Sequence, residues 1–238
     1  MLWCLVGTCY LPVGLFIWSC FAFIISYLIA VLTHHVAPLV PFISDTGTRI
    51  PERCVFGLMI NISAFLGAAT MYVRFKFLKA LNKDSNLIIT RLNNAGLGFG
   101  IIGCIGMCIV ANFQETDMRI IHDIGAFLSF IMGTVHLVLQ TVITCKMRPH
   151  CHSRLVCCFR LALSIISVAS IIPMIVLYGL SYKTNATMKQ GTKIHNFRTA
   201  SAVFEWIVAL SFNFFFLTYI REFQGFSFRM NAVLPQDD

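Results

Sequence analysis

The sequence predicts an all-α integral membrane protein: one domain built as a six-transmembrane helix bundle, with N- and C-termini cytosolic. Three observations predict it. First, six apolar runs fall at residues 11–32, 54–73, 95–113, 120–144, 155–180 and 197–220, and about 20 mostly apolar residues suffice to cross a bilayer core. Second, apolar residues make up 58% of the 238 and charged residues only 12%, against about 45–50% and about 25% in a soluble domain. Third, Lys and Arg are unevenly shared. With both termini inside, the inner segments hold 11 and the outer segments 7, the direction of the positive-inside rule. The net charge of +8 therefore belongs to topology and lipid headgroups, and nucleic acid is not expected as a partner.

The first run follows ten residues that lack Lys and Arg. It is longer than the core of a cleaved signal, so it reads as a retained helix. Pro38, Pro41 and Pro51 keep the next connector, loop 1, from being helical, and Ser44-Asp45-Thr46-Gly47-Thr48 supplies turn chemistry. After the second run, residues 73–94 place Phe75, Phe77, Leu78 and Leu81 among Lys76, Lys79 and Lys83. That pattern suits either an interfacial basic helix or a solvated positive loop. In the third run Gly96, Gly100, Cys104 and Cys108 recur every four residues, and the fourth repeats the device with Gly125, Ser129 and Gly133. Both are small-residue seams for close helix packing. They do not form a phosphate loop, which needs a strand–turn–helix setting.

The next connector carries Cys145, Cys151, Cys157 and Cys158 with His150 and His152. Juxtamembrane cysteines beside basic residues are palmitoylation candidates. Their spacing fits no paired zinc pattern, so no metal is expected. Cys54 is the one cysteine placed on the non-cytosolic side, which excludes a disulfide-framed ectodomain. Pro173 is expected to kink the fifth run. Asn185-Ala186-Thr187 is a glycosylation sequon on the predicted lumenal side, whereas Asn61-Ile62-Ser63 falls inside the second run. Residues 221–238 form a short cytosolic tail.

Ionisable groups inside spans are costly and default to function. Glu205 is the strongest case. Ser201 and Asn213 share its helical face, and the fourth run carries His136, Gln140 and Thr144 on one face, with His122 and Asp123 at its entrance. Glu205, His136, Gln140 and Asn213 define a candidate intramembrane polar site. Three readings compete: cross-helix hydrogen bonds that fix the bundle, a lipid- or solute-handling cleft around Glu205 and His136, and a membrane hydrolase. The last is disfavoured, because His122 and His136 lie about 21 Å apart along one helix. No catalytic residue and no cofactor are assigned.

Several segments carry a family resemblance. Pro41-Phe42-Ile43-Ser44-Asp45-Thr46-Gly47-Thr48 with Pro51-Glu52 resembles the first lumenal loop of the damage-regulated autophagy modulators, in the wider Frag1/DRAM/Sfk1 superfamily. So do Asn112-Phe113-Gln114, His122-Asp123, Glu205-Trp206 and the stretch from Phe216 to Gln224. The resemblance spans the chain, and the short tail is similar to that of the founding member. It implies a multi-pass lysosomal or endolysosomal membrane protein that promotes autophagy and links p53-type stress to cell death without enzymatic activity. The implied partners are membrane lipids and other lysosomal membrane or autophagy proteins. The family motif Ser44, Asp45, Thr46 and Gly47 is its most specific mark.

Overall fold

The computed structural model describes residues 8–82, 86–148, 153–187 and 191–225, with backbone alone at 184–187 and 191–195. All regular structure among the described residues is helical. The elements are α1 (Tyr10–Leu32), a 3₁₀ turn (Ser44–Gly47), α2 (Glu52–Leu81), α3 (Leu87–Asn112), α4 (Glu115–Phe127), a π-helical segment (Leu128–Met132), α5 (Gly133–Lys146), α6 (Arg154–Thr187), α7 (Gly191–Leu217) and α8 (Ile220–Gln224). Six stretches are long and apolar enough to cross a membrane; α4, the π segment and α5 join into one of them, Glu115–Lys146.

Local chemistry sets several boundaries. Asn86 caps α3 by accepting from the amides of Ile88 at 3.0 Å and Ile89 at 3.3 Å, which satisfies two of the free donors of a helix start. At the end of α1 the Thr33 hydroxyl donates back to the Ile29 carbonyl at 2.8 Å, and His34 then turns the chain with a φ of 59°. Met118 breaks α4 with φ −135° and ψ 59°. Pro173 lies inside α6.

Two expectations are corrected here. Residues 73–81 form neither a separate interfacial helix nor a solvated loop, because α2 runs unbroken to Leu81. Arg74, within this stretch of α2, is fully buried. Likewise, Cys145 and Cys157 are joined as a disulfide, so neither offers the free thiol that palmitoylation needs. Cys158 remains an exposed thiol, while His150, Cys151 and His152 lie outside the described residues.

The bundle is held by close approach. A Cβ on Gly106 would fall 2.6 Å from the Gly125 carbonyl and 2.6 Å from the Ser129 amide. Only hydrogen at these positions lets α3 meet α4 and the π segment backbone to backbone. Two of the three apolar clusters among the described residues fill the middle of the bundle. One, around Leu15, Leu137, Phe215 and Phe223, lies toward α8; the other, around Ala22, Phe56, Ile60 and Ala209, lies under loop 1. The Thr8 amide donates to the Phe223 carbonyl at 3.2 Å, so both described chain ends sit at the end of the bundle opposite loop 1. Phe21, Leu28, Phe65, Ile120, Ile165 and Ile172 are exposed on the flanks, as a lipid-facing surface requires.

Candidate functional site

Loop 1 is folded over one mouth of the bundle. The Ile43 amide donates to Glu205 Oε2 at 2.8 Å, and Trp206 Nε1 donates to the Pro41 carbonyl at 2.9 Å. Thr46 Oγ1 closes the 3₁₀ turn on the Ile43 carbonyl at 2.6 Å. Gly47 lies against the Phe56 ring so closely that a Cβ would overlap it, which accounts for glycine there. Asp45 accepts from Arg198 at 2.7 Å, and the same nitrogen reaches Glu115 at 3.3 Å. Burial pushes the Asp45 carboxyl above its ordinary value; the Arg198 guanidinium pulls it back and the Glu115 carboxylate adds to the rise. His35 Nδ1 meets Glu52 Oε1 at 2.5 Å, which ties the loop's start to the first turn of α2.

A bridge of side chains joins α4 to α6 beside this loop. The Tyr178 hydroxyl accepts from Arg119 at 3.1 Å and faces Asp123 at 3.1 Å and Glu115 at 3.2 Å. Phe42 packs edge-on to the Tyr178 ring, and the Arg198 guanidinium lies over the Phe42 ring at 5.1 Å from its centre.

Beneath the loop lies a central cavity of ≈ 140 Å³, lined by Glu205, His122, Ser44, His136 and Asn213 among apolar side chains. A second space of ≈ 270 Å³ lies between α4 with its π segment and α6–α7. Ser44, His122, Ala126, Phe130 and Glu205 line both.

The candidate polar site is thus partly assembled. Glu205, His136 and Asn213 share the central cavity, but they do not bond one another in the way cross-helix pairing would require. Glu205 serves loop 1, His136 Nδ1 faces the Gly96 carbonyl at 2.8 Å, and the Asn213 amide returns to Ala209 at 3.3 Å in its own helix. Ser201 donates to the Met174 carbonyl at 2.7 Å. Gln140 belongs elsewhere: its Oε1 accepts from Arg74 Nε at 3.2 Å. Asn185 lies in the backbone of α6, with its side chain outside the described residues.

Gln140 leads to a second cluster that sequence reasoning missed. Arg74 of α2 and Arg160 of α6 are both fully buried and both pair with Glu222 of α8, Arg160 at 2.9 Å. The Tyr219 ring lies 4.8 Å from one guanidinium and 4.7 Å from the other. Arg160 also donates to Thr144 and Thr218, each at 2.7 Å. Both arginines count as loop charges in a hydropathy reading. The signal for them was the acid, Glu222, two residues beyond the last apolar run.

Comparison with known proteins agrees with this architecture. The Frag1/DRAM/Sfk1/Cwh43P N-terminal domain model matches residues 7–226. The chain is 44% identical over 237 residues to DNA damage-regulated autophagy modulator protein 1 of Homo sapiens, covering 100% of each chain. It is 43% identical over 245 residues to DNA damage-regulated autophagy modulator protein 2 of Homo sapiens, covering 98% of this chain and 91% of that one. It is 32% identical over 202 residues to modulator of macroautophagy TMEM150B-B of Xenopus laevis, covering 84% and 79%. No solved structure matches. With a family model over nearly its whole length and relatives this similar from end to end, the chain belongs to the Frag1/DRAM/Sfk1 family.

Proposed function

We propose that this chain is a multi-pass protein of lysosomal or endolysosomal membranes that modulates autophagy and couples p53-linked stress to cell death. It does so without catalysis of its own, by engaging membrane lipids and other lysosomal membrane or autophagy proteins. Its termini face the cytosol. The observation that carries this proposal is the 44% identity maintained over the full length of an autophagy modulator. The three relatives above are all named as modulators, including the one at 32% identity.

The test is genetic and quantitative. Cells lacking the protein are challenged with a DNA-damaging agent. Autophagic flux, read as lysosome-dependent turnover of a lipidated autophagosome marker, is expected to fall and to be restored by the wild-type chain. Stress-induced death should fall in a p53-dependent manner, and a tagged copy should co-sediment with lysosomal markers. Unchanged flux, or residence in the plasma membrane alone, would refute the proposal.

A further inference from the structure

We propose that the bundle binds an uncharged, hydroxyl-bearing lipid through a lateral opening between α4 and α6. The space of ≈ 270 Å³ between these helices has Phe127, Phe130 and Ile131 on one side and Met174 and Ile175 on the other. Phe127 is 53% exposed and Ile175 47% exposed, so the mouth opens on the flank that faces lipid. Toward loop 1 the space is bridged by Tyr178 with Arg119, Asp123 and Glu115, and Phe42 packs on the same ring. A ligand therefore enters from the bilayer and not from water.

Inside, the opening narrows at Ser44, His122, Ala126, Phe130 and Glu205 and continues into the central cavity of ≈ 140 Å³. From Glu205 to Asn213 that cavity extends eight residues along α7, about 12 Å. Most of its hydrogen-bond donors are already engaged: Ser63 donates to the Met59 carbonyl, Ser129 to the Gly103 carbonyl and the Asn213 amide to the Ala209 carbonyl, which leaves mainly acceptors. His122 Nδ1 faces the Phe113 carbonyl at 2.7 Å. A carbonyl only accepts, so Nδ1 carries a proton, and in the neutral ring Nε2 is left to accept. His136 is set the same way by the Gly96 carbonyl, and its buried Nε2 has no hydrogen-bond partner among the described residues. Glu205 supplies a carboxyl. A donor is the complement to this set, and a hydroxyl is the donor that carries no charge into the bundle. The cations nearby are already engaged: Arg198 with Asp45 and Glu115, and Arg119 with Asp123. Neither cation is thus left free to hold a phosphate headgroup. The lipid's hydroxyl lies at the narrow point, and its apolar body fills the mouth and the central cavity.

The test uses full-length protein in nanodiscs and two photoreactive, clickable probes with identical chains, a diacylglycerol and a phosphatidic acid. The diacylglycerol probe is expected to label saturably, on peptides containing Phe127–Ile131 or Met174–Tyr178, and to be competed by unlabelled diacylglycerol. The phosphatidic acid probe should label at least about fivefold less, the value of one lost hydrogen bond. Ala126→Trp, which fills the narrow point, should reduce labelling to a similar extent. If that variant is not monodisperse, Ile131→Trp at the mouth takes its place with the same expectation. Non-saturable labelling, labelling spread over the outer helix faces, equal labelling by phosphatidic acid, or undiminished labelling in a well-folded blocked variant would each overturn the proposal.

Discussion

Glu222 carries one negative charge between two guanidiniums that no water reaches. Arg74 and Arg160 come from helices far apart in sequence, and both are fully buried. Removing one member of a buried ionic group leaves the remaining charge unsolvated, at a cost of about 3–5 kcal/mol. Glu222→Ala should therefore destabilise the bundle by that amount, lowering the unfolding midpoint in detergent by about 10 °C. Glu222→Gln should lie between the variant and wild type, since its carbonyl still accepts. A melting curve for Glu222→Ala that overlays wild type would show that the cluster does not hold the fold. Asp45 gives a second test, with a defined sign. Burial raises its folded-state value above the unfolded one. The protonated form is then favoured by folding. The resulting stabilisation is complete below the unfolded value, about 3.9, and fades as pH rises through the raised folded value. Wild type should gain thermal stability relative to Asp45→Asn as the loop-1 side is acidified. A difference that grows with rising pH would contradict this.

At the scale of helices, the glycine seams divide into positions that are needed and positions that are not. Gly106 faces backbone at 2.6 Å, while nothing lies within 4 Å of a Cβ built on Gly98. Gly106→Ala should cost about 1–3 kcal/mol through forced separation of α3 from α4. Gly98→Ala should be neutral or stabilising by up to about 1 kcal/mol, because it removes only a flexible residue from an exposed helix position. Unfolding midpoints of the two variants in the same detergent decide the matter; equal effects would mean that the seam does not set the approach. The existence of six helices was legible in the sequence, because apolar length alone determines which segments lie in lipid. Their limits were less so. α2 passes through Arg74, Lys76 and Lys79 to Leu81, since Arg74 is compensated by a carboxylate 148 residues away. α3 begins at Leu87, eight residues before its apolar run, with Asn93 donating to the Phe75 carbonyl at 3.0 Å. The π segment packs against Gly103 and Gly106 of α3, which no local pattern encodes.

The molecule as a whole joins a polar lid at loop 1, a cavity beneath it and an ionic clasp at the opposite end. The sequence identified Glu205, His136 and Asn213 as polar groups within spans, and these do line one cavity. Gln140, grouped with them by spacing, bonds Arg74 instead, because helical spacing gives a shared face and not a depth or a partner. The lid itself could not be read, since the Ile43 amide and Glu205 are 162 residues apart. The sidedness of the whole is predicted from charge. At the loop-1 end, Arg53, Arg119 and Arg198 are each within 4 Å of an acid, namely Asp117, Asp123, and Asp45 with Glu115. Their positive charge is neutralised locally. Lys76 and Lys79 near the end of α2, and Lys146 and Arg154 flanking the connector from α5 to α6, leave more net positive charge at the opposite end, where Thr8 and Phe223 also meet. Positive charge retained on the cytosolic side orients a multi-pass protein, so loop 1 should be lumenal. A glycosylation sequon inserted after Ala37 should be modified and give an endoglycosidase-sensitive mass shift. The same sequon appended after Asp238 should not. A shift from the terminal sequon with none from loop 1 would reverse the orientation, and would place the polar lid in the cytosol.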